Sequence, residues 1–402
     1  MRIEQVRLKN FKMFQDVTVK EIQPFTVLVG ANGSGKSTFF DVFGFLRDCL
    51  RDNVRTALAR RGGFREVVTR GHESETILVE VKIKMELSIG SRVVTYRIEI
   101  AAPGGRVEVR HELLQYSRKT VGGKPFKFID FENGTGTAII NEESLFKELL
   151  SSFNNVKEKR EEQSLDSPDI LAIKGLGQFR RFAAASGVRN LIENWYVSDF
   201  HIEAGRNSPD AGVAEHLSTE GENLALVAQF LFENHRDRFD KILEIMRQRV
   251  PGVANVEAKQ TEEGRVVLRF RDGSFKDPFA ARFVSDGTIK MFAYLVLLHD
   301  PKPFPLLCIE EPENQLYPSL MEALAEEFED YAAGDRQVFV STHSPDFLNA
   351  VAPKSLFVLS KDNGVSVIKN ATKFDQISAM HKAGDRLGWL WRERMFEVVD
   401  PR

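Results

Sequence analysis

Two cysteines are all that the 402 residues contain, and both Cys49 and Cys308 lie in apolar stretches. Such thiols pack as small apolar side chains, and two of them build neither a disulfide framework nor a zinc site. No apolar run approaches the ~20 residues of a membrane-spanning helix, and the opening MRIEQVRLKNF lacks the apolar core of a signal peptide. The net charge of −3 argues against a protein that coats nucleic acid, although it leaves room for a local basic surface. We therefore expect a cytoplasmic protein without a membrane partner.

A glycine-rich turn lies between an apolar strand and an apolar-periodic helix in VLVGANGSGKSTFF, residues 27–40. The turn fits G-x-x-x-x-G-K-[ST], and a preceding strand with a following helix is the context in which this pattern binds phosphates. The glycines let backbone N–H groups face the phosphates at the positive end of the helix, Lys36 would reach the β- and γ-phosphates, and Ser37 would bind Mg²⁺. The sequence therefore predicts an ATP site formed by Gly30, Asn32, Gly33, Ser34, Gly35, Lys36, Ser37 and Thr38.

Two adjacent carboxylates, Glu310 and Glu311, end a buried strand in LLCIEEPENQLYP. Neighbouring residues of a strand point to opposite faces, so the pair does not share one proton unless the chain turns sharply there. Pro312 ends the strand because it has no N–H to donate. Together with the phosphate turn, the pair predicts one glutamate for the magnesium shell and one to polarise an attacking water.

Two further turns follow apolar segments in the C-terminal part of the chain. FVSDGTIKMF places Ser285 and Gly287 at the start of a helix, where a hydroxyl and backbone N–H groups can meet an anion, although such a turn is by itself only a helix cap. RQVFVSTHSPDF ends another apolar strand at His343. A histidine at that strand end, beside a phosphate turn and a carboxylate strand, is predicted to contact the γ-phosphate.

The ordered set of segments resembles the ATP-binding-cassette class of P-loop ATPases, in its soluble SMC, RecF and OLD-like branch. The resemblance rests on RLKNFKMF, on GANGSGKS as Walker A, on VSDGT as a degenerate signature, on LLCIEEPENQLYP as Walker B with D-loop, and on VSTHSPDFL as the switch-histidine strand. It implies an α/β fold: an ATPase head with a mixed central sheet that carries the P-loop, a flanking antiparallel sheet and a helical insertion. We expect the N-terminal lobe at 1–140, the insertion with a hairpin at 141–280, the C-terminal lobe at 281–370 and a tail at 371–402.

By this resemblance Glu310 would join Ser37 at the Mg²⁺, Glu311 would be the catalytic base, Asn314 would lie in the D-loop and His343 would sense the γ-phosphate. The resemblance also implies that the signature of one protomer closes over ATP held by another, so that two nucleotides join a homodimer. The signature keeps Ser285 and Gly287 of the usual LSGGQ, with Asp286 and Thr288 as departures. Gln115 and Gln178 are both open as the Q-loop glutamine.

Local patterns predict the remaining elements. Apolar spacing from Phe39 to Leu58 predicts one helix, whose other face carries arginines. Alternation predicts an antiparallel sheet over 76–117, and we expect a polar amphipathic helix over 141–163. The other predicted elements are a helix pair within 216–249, a hairpin at 253–270 and a helix at 319–331. The tail carries Trp389, Trp391 and Phe396, which either dock a partner or pack on the chain's own core.

Several functions remain open at this level. About 250 residues without a heptad array separate Walker A from the signature, which argues against an SMC tether. About 60 residues follow His343, too few for a TOPRIM nuclease domain. We expect an ATPase switch with a separately encoded nuclease or toxin effector, in prokaryotic phage defence or DNA metabolism. Two alternatives are a constitutive oligomeric scaffold with slow hydrolysis and a RecF-like repair ATPase that binds DNA through Arg47, Arg51, Arg55, Arg60, Arg61 and Arg65. The run Thr372 to Asp375 mimics a guanine-reading motif, in an order that no GTPase needs.

Overall fold

The computed structural model describes residues 1–87, 90–116, 125–142 and 158–396. Its strands are β1 (Arg2–Phe11), β2 (Phe14–Lys20), β3 (Phe25–Gly30), β4 (Ile77–Leu87), β5 (Gly90–Ala101), β6 (Glu108–Tyr116), β7 (Phe126–Glu132), β8 (Thr135–Ile139), β9 (Arg160–Ser164), β10 (Trp195–Val197), β11 (Val253–Gln260), β12 (Val266–Asp272), β13 (Phe279–Ala280), β14 (Leu306–Glu310), β15 (Gln337–Thr342), β16 (Leu356–Asp362) and β17 (Val365–Asn370). Its helices are α1 (Lys36–Arg51), α2 (Val54–Ala59), α3 (Phe64–Val67), α4 (Ala172–Leu176), α5 (Ala183–Glu193), α6 (Ile202–Gly205), α7 (Leu224–Asn234), α8 (Arg236–Arg249), α9 (Asp286–Leu298), α10 (Met321–Ala332), α11 (Pro345–Leu348), α12 (Asp375–Lys382) and α13 (Leu387–Arg392).

A six-stranded sheet in the order β10-β14-β15-β3-β16-β17 forms the centre of the molecule. Its strands run parallel except for β17, which is antiparallel to β16. All six residues of β3 are buried, because neighbouring strands flank it and both faces of the sheet are covered. Alternate side chains enter different cores: Leu28 belongs to one, while Val27 and Val29 belong to the other.

One face of the central sheet is covered by α1 and an eight-stranded antiparallel sheet in the order β2-β1-β4-β5-β6-β7-β8-β9. Phe43 of α1 lies with its ring centroid 5.3 Å from that of Trp195 and 5.4 Å from that of Phe339. Edge-to-face aromatic pairs of this kind add about 1 kcal/mol each beyond area burial. They fix the helix that follows the phosphate turn against the sheet that carries it.

The opposite face packs on α7, α8, α9 and α10 and on a small antiparallel sheet of β11, β12 and β13. Every residue of α9 from Thr288 to Leu298 is buried, so this helix is enclosed on all sides. The predicted α/β architecture, with a mixed central sheet and a flanking antiparallel sheet, is confirmed. So are the predicted sheet of β4 to β6, the hairpin of β11 and β12, and the helix near 319–331. The division into four ranges stays a prediction.

Two predicted helices are wrong in part. The single helix predicted from Phe39 to Leu58 ends at Arg51, and a new helix starts at Val54. The break occurs because the Asn53 side chain accepts the Thr56 N–H at 2.7 Å and caps α2. Of the helix predicted over 141–163, residues 143–157 lie outside the described residues, and the part at 160–164 is strand β9, which pairs with β8.

The tail packs on its own chain as far as the structure describes it. The N–H of Gly388 donates to Asn349 Oδ1 at 3.1 Å, and Leu390 and Phe396 are fully buried. Trp391 packs against Phe396 with ring centroids 5.8 Å apart. The tail therefore packs on its own core up to residue 396, although Trp389 is 43% exposed.

The two cysteines, Cys49 and Cys308, are both buried and form no disulfide. Within the described part of the chain, no group of three or more His, Cys, Asp or Glu side chains is arranged to hold a metal. No described helix is both long enough and apolar enough to cross a membrane.

One carboxylate, Glu112 of β6, is buried inside the flanking sheet. It accepts hydrogen bonds from the Tyr96 hydroxyl at 3.0 Å, from the Ile173 N–H at 2.9 Å and from the Ala172 N–H. Burial raises the pKa of Glu112 to about 7, although these three donors favour the charged form. A folded-state pKa above the unfolded value stabilises the fold most below the unfolded pKa, and this contribution is lost as pH rises through the folded pKa.

We predict that Glu112→Gln flattens the pH dependence of stability. Between pH 5 and pH 8 the wild type should lose roughly 3 kcal/mol through Glu112, because the unfolded chain ionises first. The variant keeps an acceptor oxygen for one of the two backbone N–H groups and carries no charge. Its free energy of unfolding should therefore fall less over this range. Urea unfolding at both pH values measures this, with the exposed Glu263→Gln as control. An unchanged slope for Glu112→Gln would contradict the assignment.

Candidate functional site

The phosphate turn closes β3 and opens α1. Gly35, the last residue before the helix, has φ of +108°, in the region that L side chains avoid. A Cβ added to Gly35 would lie 2.8 Å from the Ser366 hydroxyl, so the position also leaves no space for a side chain. The first N–H groups of a 16-residue helix have no intrahelical partner and point out of this turn. The turn is thus shaped to surround an anion.

Lys36 is buried in the mouth of the turn. Its Nζ donates to the carbonyl oxygens of Gly30 at 2.8 Å and Ala31 at 3.3 Å. Burial lowers the pKa of Lys36, while the nearby charges of Glu311, Glu310 and Glu313 act in the opposite direction. Its ammonium is therefore held at the turn by backbone carbonyls.

Glu310 and Ser37 meet at the edge of the sheet. Parallel pairing sets Glu310 beside Ser341 of β15, and the Ser37 hydroxyl donates to Glu310 Oε2 at 2.5 Å. Burial raises the pKa of Glu310, and the adjacent charge of Glu311 adds to this. A hydroxyl and a carboxylate are oxygen ligands that Mg²⁺ accepts while keeping several waters and phosphate oxygens. These two side chains fit one magnesium ion, as the sequence predicts.

Glu311 occupies a left-handed backbone conformation with φ of +42°. The chain turns sharply at this residue. The second carboxylate of the pair therefore also reaches the cluster that Lys36, Ser37 and Glu310 form, instead of pointing to the opposite face. Its Oε2 accepts from Asn314 Nδ2 at 2.9 Å, and its Oε1 lies 3.4 Å from His343 Nε2. A non-glycine residue in this region is strained, and such strain concentrates at functional sites.

His343 follows β15 and faces Glu311. Its N–H donates to Glu313 Oε1 at 2.5 Å. Burial lowers the pKa of His343, and the charge of Lys36 lowers it further, so the imidazole is neutral at pH 7. A neutral imidazole can either donate or accept one hydrogen bond at the cluster.

The predicted signature residues, Ser285 and Gly287, lie at the start of α9 and not at the phosphate turn. The Ser285 hydroxyl accepts the Thr288 N–H at 3.3 Å and caps α9. A Cβ on Gly287 would lie 2.8 Å from the Gln315 carbonyl oxygen, so the glycine allows α9 to approach the loop after Glu311. No hydrogen bond among the described residues joins Ser285 or Gly287 to residues 30–38 of the same chain.

The other predicted residues are placed as follows. Asn32 and Gly33 are exposed at the apex of the phosphate turn, Thr38 is partly exposed, and Ser34 is buried with no partner for its hydroxyl. Neither Q-loop candidate has a hydrogen bond to the cluster among the described residues: Gln115 lies within β6 and Gln178 donates to the carbonyl of Lys174.

Sequence reasoning missed Glu313 and Lys290. Lys290 of α9 is buried, and its Nζ donates to the Asn314 carbonyl at 2.8 Å and the Glu311 carbonyl at 3.4 Å. Burial lowers the pKa of Lys290 to about 8, opposed by the charges of Glu313 and Glu311. A lysine in an otherwise apolar helix, and a third acid in EEPEN, were the available signals.

Three members of the arginine cluster, Arg55, Arg60 and Arg61, form ion pairs within the chain. Arg61 contacts Asp41 at 2.7 Å and Asp48 at 2.9 Å, and its side chain is largely buried between them. The other contacts are Arg60 with Asp52 at 2.7 Å, Arg55 with Asp169 at 3.3 Å, Arg47 with the Trp195 carbonyl at 3.3 Å and Arg51 with the Glu193 carbonyl at 3.4 Å. The stripe is therefore not a free row of cations.

Solved structures with a similar fold include heads of SMC proteins. The SmcHead solved with the C-winged helix domain of ScpA is 17% identical, with a TM-score of 0.56, over 92% of this chain and 98% of that chain. An Smc head with an extended coiled coil, bound to the C-terminal domain of ScpA and derived from Pyrococcus furiosus, is 15% identical, with a TM-score of 0.51, over 94% of this chain and 99% of that chain. At these identities the likeness shows the fold, which is that of an ABC-type P-loop ATPase head.

The family follows from a second comparison. Residues 25–349 match the family described as "AAA domain, putative AbiEii toxin, Type IV TA system". Because the match spans most of the 402 residues, the chain belongs to this family. No curated protein matches the sequence.

We predict that Gly35→Ala destabilises the protein more than Gly364→Ala. Both glycines have positive φ, +108° and +84°, so alanine costs about 1–2 kcal/mol of backbone strain at either. Of these two glycines, only Gly35 has Ser366 within contact distance of an added Cβ, whereas nothing lies within 4 Å of a Cβ at Gly364. Thermal unfolding without nucleotide compares the two variants. Equal melting temperatures would show that the turn relaxes around the new methyl group.

Proposed function

We propose that this chain binds and hydrolyses ATP with Mg²⁺ as a dimer of two heads that enclose two nucleotides. The proposal is carried by one observation: Lys36, Ser37, Glu310, Glu311 and His343 converge at one edge of the central sheet from three separate strand ends. Each of them has the chemistry that phosphoryl transfer to water needs.

Each residue has a distinct part in the proposed reaction. Bound Mg²⁺ would supply positive charge at the phosphates, held by Ser37 and Glu310. The Lys36 ammonium exchanges its carbonyl partners for phosphate oxygens. Glu311 orients the attacking water, and neutral His343 contacts the γ-phosphate. Catalysis then rests on positioning and electrostatic stabilisation.

The position of the signature supports a second copy as the partner. Ser285 is exposed at the start of α9, which has no hydrogen bond to its own phosphate turn among the described residues. In a dimer it would face the nucleotide of another chain. Phe283, two residues before Ser285, is 69% exposed, and Tyr317, two residues after Gln315, is 70% exposed. Large exposed aromatic side chains are typical of protein interfaces.

We further propose that the nucleotide state of the dimer holds or releases a separately encoded effector, a nuclease or a toxin, in prokaryotic phage defence. Two findings support this. The family description refers to a type IV toxin–antitoxin system. The similar SMC heads were solved bound to domains of ScpA, another protein.

A RecF-like ATPase that binds DNA is the second candidate function. The arginine-rich region around α1 and α2 favours it, but the ion pairs of Arg55, Arg60 and Arg61 oppose it because paired cations release fewer counterions from DNA.

We predict that Glu311→Gln binds ATP normally and hydrolyses it at least about 100-fold more slowly, since the base is removed while the phosphate contacts stay. Lys36→Ala, in contrast, should lose ATP binding. Binding by calorimetry and turnover by phosphate release test both. Normal hydrolysis by Glu311→Gln would remove Glu311 from the base role.

Solution mass tests the dimer. Light scattering of Glu311→Gln with Mg-ATP should show twice the mass seen without nucleotide, because ATP persists at the interface. The wild type, which turns ATP over, should double its mass only in part. A mass that is oligomeric and indifferent to ATP would instead indicate a constitutive scaffold, and Ser285 would lose its proposed role.

DNA binding separates the two candidate functions. If DNA is bound, affinity should fall steeply with salt, and Arg51→Glu with Arg65→Glu should reduce both the affinity and the salt slope. These two arginines are chosen because neither forms a salt bridge in the described residues. Absent or salt-insensitive binding in a fluorescence anisotropy titration favours the effector-coupled switch.

A further inference from the structure

Glu313 joins two loops that are distant in sequence. It follows β14 in the segment EEPEN, and its Oε1 accepts the main-chain N–H of His343, 30 residues later, at 2.5 Å. Its Oε2 is buried and has no hydrogen-bond partner within the described residues. A half-satisfied carboxylate is costly to bury, so Glu313 needs positive charge nearby.

The charges around Glu313 explain how it is tolerated there. Lys36 and Lys290, both buried lysines, each experience its negative charge. Lys290 also holds the same loop from the other side, through the carbonyls of Glu311 and Asn314. Lys290 thus holds the main chain on both sides of Glu313, at Glu311 and at Asn314. Glu313 in turn connects this loop to the main chain of His343.

We infer that Glu313 is a positioning residue for ATP hydrolysis, which acts by holding the backbone of His343 so that the imidazole stays beside Glu311. This inference rests on the proposed function. A charge-assisted hydrogen bond to a main-chain N–H is shorter and stronger than a neutral one, which suits a contact that must define position. The imidazole Nε2 lies 3.4 Å from Glu311 Oε1 in the resulting arrangement. Among the described residues, Glu313 is the side chain that accepts the main-chain N–H of His343.

The test is a double-mutant cycle with Glu313→Ala, His343→Ala and the combination of both. Glu313→Ala should lower kcat by about 10- to 100-fold with KM for ATP unchanged, because Lys36 and the phosphate turn are intact. If Glu313 acts through His343, the double variant should be no slower than His343→Ala. Losses that multiply would overturn the inference, because Glu313 would then act independently of the histidine.

Two conservative variants guard against a loss that reflects only misfolding. Glu313→Gln keeps an acceptor oxygen at the same reach and should recover most of the rate. Glu313→Asp keeps the charge but is one methylene too short, so it should be nearly as slow as Glu313→Ala while melting at the wild-type temperature. If Glu313→Asp is as fast as wild type, charge alone suffices and the positioning role is wrong. A wild type that does not hydrolyse ATP at all would refute the proposed function, a result distinct from either outcome of the cycle.

Discussion

The parallel register of β14, β15 and β3 is the constraint on which the site depends. Pairing of Glu310 with Ser341, and of Thr342 with Val29, brings an acid, a histidine loop and the phosphate turn to one edge of the sheet. Because side chains alternate along a strand, a slip of one residue would exchange the two cores and carry Glu310 away from Ser37. The register of these buried strands therefore stabilises the fold and fixes the chemistry at once. The same residues therefore encode the fold and the position of the site.

The charge balance of the cluster explains why it can exist before nucleotide arrives. Three glutamates surround one phosphate turn, and their repulsion is offset by Lys36 and Lys290. Lys36 hydrogen-bonds to carbonyl oxygens and not to a carboxylate, so passing its donors to a phosphate breaks no ion pair. The contact of Ser37 with Glu310 likewise joins two oxygen ligands that one cation can take over. The site is preorganised toward an anion with a divalent cation, which lowers the cost of ordering it during the reaction.

The sequence predicts those parts of the site whose chemistry depends on residues that are close together along the chain. A phosphate turn, two acids at a strand end and a histidine at another strand end are each visible in a short window, and parallel strands bring their ends together. What could not be predicted depends on distant contacts. The link from Glu313 to His343 spans 30 residues, and Lys290 is recognised only once α9 is seen against the loop after Glu311. The pairing of the arginine stripe could not be predicted for the same reason: periodicity shows which face a side chain lies on, but not that Arg61 is held between Asp41 and Asp48. The helix break at Asn53 was missed because apolar spacing continued across a capping residue.

The loop after Glu311 and the start of α9 behave as one unit, and this bears on how two sites would communicate. Gly287 lets α9 approach the carbonyl of Gln315, and Lys290 binds two other carbonyls of the same loop. A displacement of the signature turn would therefore reach the backbone of Glu311 through Lys290, which binds the Glu311 carbonyl. In the proposed dimer the signature of each chain would contact the nucleotide of the other. The occupancy of one site would then bias the geometry of the catalytic glutamate in the other through contiguous packing and hydrogen bonds, which is the physical requirement for coupling between them.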